Sequence, residues 1–451
     1  MASTSEAGIA APLAAPKPIT HRRVMSVALP IVLSNVTVPI LGAVDTGVVG
    51  QLGEAAPIGA VGLGAVILST VYWIFGFLRM GTVGLVGQAE GRGDAAEVSA
   101  ILSRALLIAG AGGLAIIALQ LPIISGALLI SDPGDEVATL TQDYLSIRIW
   151  SAPFAIATYA FTGWLVAMER TGAVFLIQVV INGLNIILDV VFVLGFGWGV
   201  EGVAAATVIA EVVGGLYGLW LCRAAFARPD WKDAARVFAH EKIVTMMVLN
   251  GDILIRSALL MAIFTSFTVL AARLGEVPLA ANTVLVNFLF IVAHALDGFA
   301  FAAETLVARA FGRRDRARVR RASALTSIWG MAICVVLSLT FALAGGALID
   351  VMATSPDVRE EARRYLWWMV AAPIAGAPGW MFDGIFIGAT RSADMRNMMI
   401  VSAILYAAAV AILLPTLGND GLWAALLISF IARGATLGVR YPALERAAEG
   451  R

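Results

Sequence analysis

The sequence predicts an all-α polytopic membrane protein with twelve transmembrane helices in two pseudo-symmetric six-helix bundles, and three observations lead there. Its 451 residues are 60% hydrophobic and 14% charged, against roughly 45–50% and about 25% in an ordinary soluble domain. One soluble core cannot hide that much apolar surface. The apolar residues fall in blocks that reach the ~20 positions needed to cross a ~30 Å hydrocarbon layer, with short polar or Gly/Pro turns between them. Finally, a stretch of the first half recurs in the second.

Read in order, residues 1–22 are an Ala/Pro-rich cytoplasmic tail, and the first span is expected to serve as an uncleaved anchor. Spans are expected near 24–50, 57–85, 98–130, 137–168, 172–195 and 200–225, which place an N-lobe over 23–225. A charged linker over 226–242 leads to a C-lobe over 243–442 and a tail over 443–451. The C-lobe spans are expected near 243–272, 278–308, 321–350, 360–388, 394–416 and 420–442. Several exceed the minimum length, which tilt or a kink accommodates; Pro30, Pro39, Pro153, Pro373 and Pro378 sit where kinks would fall.

Threading twelve spans puts most basic loop residues on one side, from Arg22 and Arg23 through Arg92, Arg170 and Lys232 to the run Arg309–Arg321, then Arg391, Arg396 and Arg446. The positive-inside rule then places both termini in the cytoplasm of a cell inner (plasma) membrane. Net charge is zero, so no global field draws nucleic acid. Cys222 and Cys334, far apart in apolar runs, read as small buried hydrophobes. No Walker-type loop suggests ATP and no ligand-spaced cluster suggests a catalytic metal, so the chain is not expected to be an enzyme or to carry a cofactor.

The repeat is specific. Leu52-Gly53-Glu54 through Gly91-Arg92-Gly93-Asp94 returns as Leu274-Gly275-Glu276 through Gly312-Arg313-Arg314-Asp315. Gly163 and Arg170-Thr171 return as Gly384 and Arg391-Ser392, while Pro153 and Pro373 nearly coincide. Six spans per copy give the halves one orientation, with a cleft between the bundles.

Ionisable groups inside spans cost ~2.5–3.5 kcal/mol each at mid-membrane even on a lenient scale, so they are functional candidates. The first half has Asp45 in span one and Asp189 in span five; Asn185, four residues before Asp189, shares its face, and Thr207 adds a hydroxyl. Two carboxylates in one poorly solvated pocket cannot both stay charged unaided. Such a set can take up a proton or trade it for Na⁺, held by the carboxylates, the amide oxygen and the hydroxyl. The structural alternative is that either acid lies near a span end or merely pairs with a basic group. In the second half, Asp252 and Arg256 have the i,i+4 spacing of a structural ion pair, and Asp297, Glu304 and Asp383 could line the cleft. Arg79, deep in span two with no sequence-local partner, is expected to pair across helices or to sit close to an interface. Glu169 and Glu211 are placed near cytoplasmic span ends, and His294 reads as a satisfied histidine or a proton relay. Met246, Met247, Met261, Phe264 and Phe267 read as helix packing or as a pliable ligand surface.

Ala28-Leu29-Pro30 followed by Val44-Asp45-Thr46-Gly47 resembles the first span of the multidrug and toxic compound extrusion (MATE) family. Asn185 through Asp189, Asp252 through Arg256, Asp297 through Glu304 and Asp383 through Thr390 are similar to its DinF-like branch. The likeness covers roughly Arg22 to Tyr441. It implies an antiporter that exports amphipathic, cationic small organic compounds in exchange for H⁺ or Na⁺ by alternating access, working as a monomer. It implies an ion-coupling site at Asp45, Asn185, Asp189 and Thr207, with Pro30 as the helix-bending residue. Branches with C-lobe carboxylates leave Asp297, Glu304 and Asp383 open. A flippase for lipids or lipid-linked precursors is the alternative function.

Overall fold

The computed structural model describes residues 17–51, 54–227 and 229–450, with side chains except those of 38–43, 45 and 46. Twelve long helices follow the expected spans closely. The first half contains α1 (His21–Gly50), α2 (Ala55–Arg92), α3 (Ala95–Ala118), α4 (Asp135–Ala167), α5 (Thr171–Gly195) and α6 (Gly199–Leu221). The second contains α7 (His240–Ala272), α8 (Glu276–Gly312), α9 (Arg316–Met352), α10 (Pro356–Gly388), α11 (Ser392–Leu417) and α12 (Asn419–Ala447). Among the described residues, the eleven helices from α2 to α12 are long and apolar enough to cross a membrane.

The interruptions have local causes. A turn at Ile149–Ser151 breaks α4 just before Pro153, which sits where its missing N–H is harmless. The last turn of α5, Val190–Gly195, widens into a π-helix directly after Asp189. By contrast α1 runs on through Pro30. That proline cannot donate to the Ser26 carbonyl, and the Thr171 hydroxyl donates to it instead, at 3.3 Å. Pro39 lies outside the residues whose side chains are described.

The duplicated turns are the same device built twice. Asp94 caps α3 by accepting from the Glu97 amide at 3.0 Å, and Asp315 caps α9 by accepting from the Arg318 amide at 3.0 Å. The residue before each cap is left-handed: Gly93 at φ 77° and Arg314 at φ 57°. Glu169 and Thr390, also equivalent, share this conformation at φ 56° and 52°. A non-glycine residue tolerates it only where its surroundings fix it.

Buried apolar side chains separate into two clusters, one per half, with a reciprocal exchange. Val24, Val27 and Ala28 at the start of α1 join the second-half cluster, and Met246 at the start of α7 joins the first. Between the halves α2 crosses α8 at glycine distance. A Cβ on Gly91 would meet the Arg309 carbonyl, and one on Gly312 would meet the Gln88 carbonyl. Arg309 donates to the Ala167 carbonyl at 3.0 Å, and Gln88, its counterpart, donates to the Gly388 carbonyl at 3.1 Å. These are symmetry-related contacts about one axis. They all lie toward the end that carries both termini, so the halves are sealed together there. The linker docks on the same end, where Arg104 binds Glu97 at 3.0 Å and the carbonyls of Val237 and Arg236 at 2.9 and 3.1 Å.

Candidate functional site

Two cavities flank a single ion pair at mid-membrane depth. The first, of about 450 Å³, lies within the first half. Its walls include Ser34 and Asn35 of α1, Tyr72 of α2, Tyr159 of α4, Asn182 and Asn185 of α5, and Thr207 and Glu211 of α6. The second, of about 390 Å³, is mainly apolar, with Met261, Phe264, Phe290 and Trp380 around Asp297, Glu304 and Asp383. Arg79 and Phe301 line both. Arg79 is bonded to Glu304 at 2.8 and 3.3 Å, and its guanidinium lies 3.8 Å over the Phe301 ring. The expected partner of Arg79 across helices is therefore a carboxylate of the other half.

In the first cavity the Asn185 amide donates to the Thr207 hydroxyl at 3.0 Å, and that hydroxyl donates to the Val203 carbonyl at 2.9 Å. This orients the Asn185 carbonyl oxygen away from Thr207. Asp189, one turn further along the same face of α5, is fully buried. Asn182 donates to Thr37 at 2.8 Å and fastens this face to α1. Asp45 belongs to α1, but its side chain lies outside those described. The structure thus brings Asn185 and Thr207 together, places Asp189 one turn further along α5, and leaves the fourth member unplaced.

One residue that sequence reading passed over, Arg148, completes this half. Arg148 binds Glu211 at 2.9 Å and the Tyr144 hydroxyl at 3.0 Å. Glu211 accordingly sits in the cavity wall and not at a span end, a correction: it lies near the middle of the Gly199–Leu221 helix, where Arg148 supplies its counter-charge. Glu169 is at the terminus-bearing end, as expected, bound by Arg23 at 2.5 Å and by Arg309 at 2.8 Å.

The second half departs from the sequence reading at the Asp252–Arg256 pair, which does not form. Arg256 binds Asp383 on α10 at 2.8 Å, while Asp252 takes Arg396 at 2.5 Å and the Ser392 hydroxyl at 2.8 Å on α11. The physical reason is that Asp252 and Asp383 are both buried and both need a counter-charge, and Arg396 supplies the one while Arg256 supplies the other. Leaving Asp383 unpaired would be far more costly than losing an i,i+4 contact worth ~0.2–0.5 kcal/mol. Arg433 of α12, missed in the sequence, lies 3.6 Å from Asp383 and packs on Trp380 and Phe430. Its place inside an apolar span was the available signal. Asp297 lines the cavity with no ion-pair partner within 4.0 Å among the described residues. His294 turns its Nδ1 to the Phe290 carbonyl at 2.7 Å. Met261 and Phe264 line the cavity, whereas Met246 and Phe267 are buried in packing.

The MatE family profile matches the chain twice, over 30–191 and 253–413. "DNA damage-inducible protein F" of Escherichia coli (strain K12) is 38% identical over 417 residues, 91% of this chain and 89% of that protein. "Probable multidrug resistance protein NorM" of Rhizobium meliloti (strain 1021) is 25% identical over 344 residues, 72% of this chain and 71% of that one. Among solved structures, MATE in the bent conformation superposes with a TM-score of 0.86 at 18% identity, covering 95% of this chain and 96% of the other. The outward-facing conformation of a multidrug resistance MATE family transporter also gives 0.86, at 17% identity and the same coverage.

Proposed function

Since the chain belongs to the MatE family of transporters, we propose that it is a cation-coupled antiporter that exports amphipathic, cationic organic compounds. The observation that carries this reading is the first cavity, in which Asn185 and Thr207 share a wall facing α1, with the buried Asp189 one turn beyond Asn185 on the same face of α5. A buried carboxylate in this position is costly while charged and cheap once it holds H⁺ or Na⁺. Cation uptake there changes what α1 packs against, and α1 touches both halves. Alternating access follows if the loaded and empty sites favour different arrangements of the two lobes, 23–225 and 243–442, joined by the 226–242 linker. With the terminus-bearing end in the cytoplasm of the inner membrane, the sealed arrangement described above faces outward. The chain acts as a monomer without ATP or a cofactor, and Na⁺, where it is the coupling ion, is cargo held by Asp45, Asn185, Asp189 and Thr207.

The apolar second cavity suits the hydrophobic body of a cargo, with Asp297 as its polar anchor. The test is efflux of a fluorescent organic cation from proteoliposomes under a pH or a Na⁺ gradient, with Asp189→Asn and Asn185→Ala. The expected result is at least a tenfold loss of gradient-driven efflux. Undiminished coupled efflux in both variants overturns the coupling role, and headgroup-dependent scrambling of labelled lipid without cation efflux would favour a flippase.

A further inference from the structure

The cavity at the sealed end holds more positive charge than its own acids neutralise, and we propose that it binds a phosphate-type anion that locks the two halves together. It measures about 600 Å³ and is lined by Lys17, Arg23, Arg309, Arg313 and Arg318 against only Glu90 and Glu169. Glu169 is engaged by Arg23 and Arg309, and Glu90 lies 3.9 Å from Arg309. Lys17, Arg313 and Arg318 have no carboxylate within 4.0 Å among the described residues. Arg318 points into this region, with one guanidinium nitrogen donating to the Lys17 carbonyl at 2.5 Å. Asp315, the nearest acid in sequence, is occupied as the cap of α9.

The cavity straddles the seam: Glu90, Gly91 and Glu169 belong to the first half, and Arg309, Arg313 and Arg318 to the second. Lys17 precedes α1, and Arg313 and Arg318 lie at the turn from α8 to α9. A phosphate oxygen set takes several guanidinium and ammonium bonds at once, and guanidinium groups present paired donors for it. An anion held by these cations occupies a cavity that exists only while the halves are closed here, so its binding stabilises that arrangement by mass action. The cavity stands just beyond the ends of apolar helices, where lipid phosphates and soluble phosphate are both in reach.

The test uses the full chain carrying S26C. Ser26 lines the cavity, and native Cys222 and Cys334 are buried, so an uncharged maleimide reports on position 26. The chain is studied in phosphatidylcholine nanodiscs, alone, with phosphatidylglycerol, or with inorganic phosphate in the buffer. An anion at the site slows modification and raises the thermal midpoint. R313Q/R318Q should weaken the apparent affinity about 30-fold, the equivalent of ~2 kcal/mol at ~1 kcal/mol per basic residue. R313K/R318K should recover most of it and show that the double variant folds. R22Q, which removes a cation outside the cavity, should leave the response unchanged. A response to phosphatidylglycerol alone identifies a lipid headgroup; a response to inorganic phosphate in phosphatidylcholine identifies a soluble anion. No response to either, or equal responses in the wild-type background and R313Q/R318Q, overturns the proposal.

Discussion

Among the described residues the Arg79–Glu304 pair is the buried ion pair that joins the halves deep inside the bundle, and replacing its members by methionine measures what it does. The side chains are 11% and 2% exposed, and the contact is 2.8 Å. Glu304→Met strands a buried guanidinium and Arg79→Met strands a buried carboxylate, each costing about 3–5 kcal/mol. Replacing both removes two desolvation penalties together with one attraction, which is close to neutral for buried pairs. Unfolding entropy near 2.1 cal/mol/K per residue over 451 residues is about 0.9 kcal/mol/K. Each single variant should therefore lower the thermal midpoint by about 3–5 °C. Helices retained in detergent make the true entropy smaller and the shift larger. The double variant should fall by less than about 2 °C, the remainder reflecting the lost Arg79–Phe301 contact. Thermal scans of the four proteins in one detergent provide the cycle. A double variant whose loss equals the sum of the singles would refute the idea that these residues act as a pair.

Asp383→Asn leaves Arg256 and Arg433 facing each other without a counter-charge and should cost at least as much as Glu304→Met. Asp252→Asn, whose partner Arg396 is a third exposed, should cost about 1 kcal/mol by the same scan. Gly91→Val drives a side chain into the Arg309 backbone, so modification of S26C should rise about tenfold, for a ~1.4 kcal/mol loosening of the seam; an unchanged rate would show that the seam does not depend on this crossing. Burial pushes the Glu169 carboxyl up, but the Arg23 hydrogen bond and the charges of Arg309 and Arg23 outweigh it and hold it below its ordinary 4.5. A depressed folded value means the stabilisation is complete at neutral pH and disappears as pH falls from about 4.5 through the folded value. The midpoint gap between wild type and Glu169→Gln should thus be open at pH 7 and close on acidification below 4.5; a gap independent of pH would dismiss the charged seal. Thr171→Val removes the donor to the carbonyl freed by Pro30 and should lower the midpoint by an amount worth about 1 kcal/mol.

Helices were legible because the membrane enforces them: a lipid-exposed backbone must satisfy itself internally, so apolar length alone locates the spans. The repeat was legible for a similarly local reason, since a left-handed residue followed by a capping aspartate must be written into the turn itself, as at Gly93-Asp94 and Arg314-Asp315. The Asn185–Thr207 contact and the Arg79 cross-helix bond rested on burial, which a polar residue in an apolar run betrays. Partner identity did not follow. Arg256 could be seen to need an acid, but sequence offered Asp252 at helical spacing and concealed Asp383, more than a hundred residues away. Arg148 and Arg433 escaped because attention to carboxylates as ion binders ignores the arginines that neutralise them. Which cation meets which anion depends on helix packing, and packing is a property of the whole assembly.

The placement of the buried pairs bears on how the lobes can move. Arg148–Glu211 lies wholly within the first half, and Arg256–Asp383 with Arg433 wholly within the second. Each half is thereby fastened internally by interactions that are expensive to open. Across the seam the polar fastenings are different: Arg79–Glu304 at depth, and Glu169 with Arg309 at the terminus-bearing end, the latter partly exposed and weaker. A rocking of two rigid bundles must break the second set and can leave the first intact. Because Arg79 and Phe301 also form the common wall of the two cavities, any motion that separates Arg79 from Glu304 changes both cavities at once. Coupling between the proposed ion site in one half and the proposed cargo site in the other therefore needs no long relay; it needs the ion to alter the packing of α1 or α2 by enough to offset one buried ion pair.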